Sequence, residues 1–197
     1  IASMAGTIDL ASIAVGSSIW VPIVLLVSGI MVAVTSMTAH AKGAKDKALS
    51  VKIAQQGLYL SIFVGFVCMA ILLFCTRPVL EYMSVTPELM EPTEAYLIYI
   101  AYSLPGIAIY QALRSYNEAI DLTKPVTIIS VLSLLLNIPL NLLFVFGYGP
   151  IEAMGGVGCG LASLIIFYLG AIALTAFTLY SRYHQRIKPL RNLAKPD

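Results

Sequence analysis

The chain has 197 residues, 59% of them hydrophobic and only 11% charged, with a mean hydropathy of +0.88. Charged residues make up about a quarter of a soluble domain, so this composition excludes one and calls for a lipid bilayer as solvent. The formal net charge of +2 gives no field with which to hold nucleic acid, and no nucleic-acid partner is expected; membrane lipid is.

The charges are bunched, and the charge-free windows between them run over 10–41, 53–76, 95–113, 125–151 and 153–181. Each reaches or approaches the roughly 20 apolar residues that carry a helix across a bilayer. The windows are continuously apolar, without the period-2 alternation of lipid-facing strands. The sequence therefore predicts an all-α, polytopic transmembrane bundle of five spans, at about 10–41, 53–76, 95–113, 125–147 and 155–181, followed by a basic tail or linker over 182–197.

The first span carries Pro22, where a kink is expected. It is too long for a signal peptide and lacks a basic region before it. The second contains Cys68 and Cys75, which together with Cys159 make three cysteines without metal-ligand spacing; small buried hydrophobes are the expected reading. The third window is the shortest. Its Tyr96, Tyr99 and Tyr102 sit where an aromatic belt would lie, and Pro105 with Gly106 marks a second kink.

The fourth span holds the most informative stretch, LLLNIPLN, residues 134–141. Asn137 and Asn141 are four apart and share a helical face, which Ser133 and Ser130 extend toward the amino end. Pro139 cannot donate to the carbonyl of Leu135, so a third kink is expected beside this polar stripe. A carboxamide left without partners in hydrocarbon costs several kcal/mol, so the stripe must face other helices or water. Two readings stay open: polar glue between helices, or the lining of a transport path. Amide and carbonyl oxygens there would suit a small hard cation such as Na⁺.

The fifth span opens with GGVGCG, residues 155–160, which looks superficially like a dinucleotide fingerprint. That motif needs a preceding strand and an acidic residue about 20 positions on, and residues 161–181 contain no acid. Gly156 and Gly160 instead have the small-xxx-small spacing of close helix packing.

Eleven of the twelve basic residues fall in alternate loops. Lys42, Lys45, Lys47 and Lys52 lie between spans one and two, Arg114 and Lys124 between three and four, and Arg182, Arg186, Lys188, Arg191 and Lys195 after span five; only Arg77 falls on the other side, with Glu81, Glu88, Glu91, Glu94 and Glu152. The positive-inside rule makes the lysine-rich side cytoplasmic. The amino end then begins outside, which leads to the expectation that one further helix precedes Ile1. His40 and His184 have no metal-spaced partners and are expected at interfaces. The loop RSYNEAIDLTKP, 114–125, reads either as a gate built on Arg114, Glu118 and Asp121 or as a tight connection capped by Asp121.

Three stretches carry a family resemblance: WVPIVLLVSGIMVAVTSMTAHAKGAKDK, YQALRSYNEAIDLTKP, and LLLNIPLNLLFVFG followed by GGVGCGLAS. From Met4 to Tyr180 the chain resembles the NorM branch of the multidrug and toxic compound extrusion (MATE) family. The resemblance implies a twelve-helix transporter of the bacterial inner membrane, in two lobes. Such a protein exports cationic, amphipathic drugs and dyes in exchange for Na⁺ or H⁺ by alternating access, with no other cofactor and no enzymatic activity. On that template the five helices are spans two to six of the amino-terminal lobe, whose partner is the second lobe. Asn137 and Asn141 fall on polar positions near the coupling cation, with Ser133 beside them. Tyr99, Tyr110, Gln111 and Ser163 are candidates for the cavity wall. The family's first-span aspartate would fall at or before Ile1, and the five windows contain no Asp or Glu. A lipid-linked saccharide flippase of the same superfamily, and a structural membrane fragment without activity of its own, are the alternatives.

Overall fold

The computed structural model describes residues 6–147 and 152–180. They form five helices: α1 (Thr7–Gly43), α2 (Lys47–Tyr82), α3 (Pro87–Ala119), α4 (Thr123–Phe146) and α5 (Gly156–Tyr180). All five are long and apolar enough to cross a membrane, and the chain is an all-α, polytopic transmembrane bundle. The tail expected over 182–197, with its basic residues and His184, lies outside the described residues.

The three shorter connections are tight, and each places a non-glycine residue in the left-handed region: Lys45 at φ 58°, Ser84 at φ 53° and Asp121 at φ 65°. In the first, the Asp46 carboxylate accepts the Leu49 N–H at 2.9 Å and so caps α2. In the second, Pro87 opens α3, where its missing N–H costs nothing. In the third, Asp121 does not cap α4, whose first turn has no side-chain cap. Its carboxylate instead pairs with Lys42 of α1, while Glu118 pairs with Arg114 one turn back at 2.8 Å. The Lys42–Asp121 pair also brings the α1–α2 and α3–α4 turns to one end of the bundle, as the alternation of basic loops requires.

The shortest sequence window belongs to the central helix. α3 packs against α1, α2 and α5, whereas α4 leans almost entirely on α5. Close approach is permitted by small residues. A Cβ on Gly65 of α2 would lie 2.8 Å from the Pro105 Cα, and one on Gly16 of α1 would lie 2.6 Å from the Tyr96 ring. In a bilayer, where lipid tails solvate leucine as well as a core does, association rests on such packing and on buried hydrogen bonds. One of these joins α1 to α3: the Trp20 indole N–H donates to the Tyr96 hydroxyl at 3.0 Å. Tyr96 is accordingly buried and is not part of an aromatic belt; of the three tyrosines at that end only Tyr102 is exposed. The three cysteines are free, with Cys68 buried, Cys159 half-buried and Cys75 exposed on α2, so the last departs from the expected burial. His40 is exposed in the last turn of α1.

Candidate functional site: the polar ridge of the fourth helix

α4 has two unlike faces. Leu132, Leu134, Leu135, Leu136, Ile138 and Leu142 are exposed. Ser130, Ser133 and Asn137 are half-buried, and Asn141 and Val145 are buried along the opposite stripe. The polar stripe expected from the sequence therefore turns toward the bundle, and the aliphatic residues form the outward surface.

At the Ser130 end, the Tyr110 hydroxyl of α3 and Ser130 Oγ lie 2.8 Å apart. Tyr110, Ser130, Ser133, Ile166, Phe167 and Gly170 line a cavity of about 170 Å³ between α3, α4 and α5. Gly170 forms part of its wall: a Cβ there would stand at ordinary contact distance, 3.5 Å from the Tyr110 ring and 3.6 Å from Ser133 Oγ.

At the other end of the ridge, the Asn141 amide donates to the Asn137 carbonyl at 2.8 Å and to Asn137 Oδ1 at 2.9 Å. One carboxamide thereby holds the other in place along the helix. Asn141 Oδ1 accepts no hydrogen bond from the described residues. Pro139, between them, leaves the Leu135 carbonyl without its usual helical donor, although α4 remains one helix through that position. The ridge thus offers neutral oxygen acceptors and carries no formal charge.

The other expected wall residues are dispersed. Gln111 faces the opposite way across α3 and donates to Ser28 Oγ of α1. Ser163 returns its hydroxyl to the Cys159 carbonyl at 2.8 Å, a bond within its own helix. Tyr99 lies against Gly160, where a Cβ would meet the Tyr99 Cβ at 3.1 Å. Of the four, the structure brings only Tyr110 together with the ridge in one cavity. Pro22 and Pro105, like Pro139, lie inside continuous helices.

The glycine cluster seats α5 against three helices at once. A Cβ on Gly156 would come within 3.0 Å of the Asp9 carbonyl, one on Gly158 within 2.6 Å of the Phe144 backbone, and one on Gly160 within 3.0 Å of the Tyr96 carbonyl. The spacing of Gly156 and Gly160 announced this packing; the contact at Gly158, which fixes α4 against α5, did not follow from it.

Sequence reasoning missed Asp9. It lies one position before the first charge-free window, yet it is in the first turn of α1 and its Oδ1 accepts the Gly156 N–H at 2.8 Å. Gly155, its neighbour at φ 55°, donates to the Val145 carbonyl at 3.2 Å. Val145 is one turn beyond Asn141 on the ridge. Two successive glycine amides therefore tie this end of the ridge, one to the Asp9 carboxylate and one to the Val145 carbonyl, and the sequence signal was an acid placed at the edge of a span.

A MatE family model matches residues 1–143. The probable multidrug resistance protein NorM of Shewanella oneidensis is 34% identical over 197 residues, covering 100% of this chain and 42% of that protein. The multidrug resistance protein PmpM of Pseudomonas aeruginosa is 38% identical over 155 residues, covering 79% of this chain and 32% of that protein. The chain thus spans about two fifths of the length of the curated relatives it matches. Among solved structures, the outward-facing conformation of a multidrug resistance MATE family transporter of the MOP superfamily superimposes with a TM-score of 0.83 at 22% identity, over 92% of this chain and 39% of that one.

Proposed function

Because this chain belongs to the MatE family, we propose that it forms part of the amino-terminal lobe of a bacterial inner-membrane antiporter. The whole protein exports cationic, amphipathic compounds in exchange for Na⁺ or H⁺. Residues 1–181 are the lobe, and 182–197 are a cytoplasmic link toward the second lobe. The names of the relatives support drug export, and the single observation that carries the site is the orientation of α4, with carboxamides inward and leucines outward.

In this reading Asn137 and Asn141 supply neutral oxygens to a coupling cation, as hard oxygen ligands do. The bond between the two amides holds Asn137 Oδ1 in register and leaves Asn141 Oδ1 to complete a shell. Ser133 and Tyr110 line the adjoining cavity, where the tyrosine face suits a cationic substrate through an attraction of about 0.5–2 kcal/mol. The lobes rock about this cavity, and the cation biases which side is open only through its different affinity for the two states. Ethidium efflux from cells making the whole transporter tests the assignment. The Asn137→Ala/Asn141→Ala double variant is expected to reach the membrane in normal amounts and to lose cation-driven efflux. Efflux at the unsubstituted rate would remove the asparagines from the mechanism.

A further inference from the structure

At the end of the bundle opposite the α4–α5 connection, a second cavity of about 230 Å³ opens beneath the α1–α2 turn. Lys42, Lys45 and Lys47 stand around it with Asp46 and Ser50, and Tyr116 and Ile120 of α3 and its following turn make an apolar floor. Of the carboxylates nearby, Asp121 is paired with Lys42, and Asp46, which lines the pocket, turns one oxygen to the Leu49 N–H but keeps its charge, so the rim holds three lysines against these two acids. Lys45 and Lys47 are exposed and have no ion-pair partner among the described residues. The sequence pattern explains why lysines gather on this side; it does not require three of them to converge on one hollow. The hollow is smaller than the roughly 300–1,000 Å³ of drug-sized sites. Its apolar floor and cationic rim match an anion attached to an apolar body, and its position at a helix end places it at headgroup level.

We propose that this pocket binds a phosphate group, supplied by an anionic phospholipid of the cytoplasmic leaflet, with Lys45 and Lys47 as the charged contacts. Basic pockets between transmembrane helices on the cytoplasmic side are physically suited to such headgroups. A phosphate there lies across the α1–α2 turn above the α3 end, beside the Lys42–Asp121 pair that joins this turn to the α3–α4 turn.

Lipid retention by the purified whole transporter tests this, with bound lipid counted by mass spectrometry under non-denaturing conditions. Phosphatidylglycerol is expected to be retained in preference to phosphatidylcholine. The K45Q/K47Q variant is expected to weaken retention about fivefold per lysine removed, and K45R/K47R to restore it. The K52Q/K124Q variant, which takes the same charge from the same face outside the pocket, is expected to retain lipid normally. Equal loss in K52Q/K124Q, or no loss in K45Q/K47Q, overturns the site. Displacement of the lipid by millimolar inorganic phosphate, with phosphate itself bound, overturns the lipid as the source.

Discussion

α3 and α4 are neighbours in sequence and opposites in environment. α3 is the least hydropathic of the five helices, yet 67% of its apolar window is buried; the α4 window is far more hydropathic and only 6% buried. In water that order would be reversed. In a bilayer, leucine gains nothing by leaving lipid, so the aliphatic helix takes the periphery, and the helix rich in alanine and tyrosine takes the centre, where backbones can approach and hydroxyls find partners. The comparison also sharpens the meaning of the α4 ridge. On a helix otherwise built for lipid, the one stripe that avoids it is the stripe carrying Ser130, Ser133, Asn137 and Asn141.

The difference can be broken most severely on the α3 side. Gly65→Val places a side chain 2.8 Å or less from the Pro105 backbone, which cannot yield without moving α3. A loss of about 3 kcal/mol is expected, read as a large fall in the heat-unfolding midpoint of the purified protein. Asp9→Ala comes next: losing the side-chain acceptor of the Gly156 N–H should cost about 0.5–2 kcal/mol, with Asp9→Asn recovering much of it because the amide oxygen still accepts. At the small end, Leu135→Val on the exposed face of α4 should shift stability by no more than about 0.5 kcal/mol. A Leu135→Val effect as large as that of Gly65→Val would erase the distinction between the two helices.

Much of the fold was legible because the bilayer writes itself into the sequence. Charge-free windows located all five helices, and the placement of lysines gave their alternation. The centrality of α3 was not legible, because its hydropathy falls for the same reason that it is buried: tyrosines such as Tyr96 and Tyr116 and small residues replace leucine. Tyr96 looked like an interface anchor, and only the indole of Trp20, 76 residues away, reveals it as a core hydrogen-bond acceptor. At the candidate site, helical periodicity was enough to put the serines and asparagines on one face. It could not give the direction of Gln111, which depends on where Ser28 of α1 sits, nor the partnership of Asp9 with a glycine 147 residues later. Asp121 illustrates the same limit: of its two readings, gate residue or local cap, the cap did not form, because a distant lysine took the carboxylate.

The central claim is that the carboxamide ridge meets water and ions while the leucine face of the same helix meets lipid. Thiol accessibility tests it most directly. In the whole transporter, with every native cysteine replaced by alanine, Cys68, Cys75 and Cys159 among them, Asn137→Cys and Leu135→Cys are each exposed to a charged, membrane-impermeant maleimide. The account predicts that Asn137→Cys is labelled, while Leu135→Cys stays unlabelled. Labelling of Leu135→Cys alone, or of neither, would contradict it.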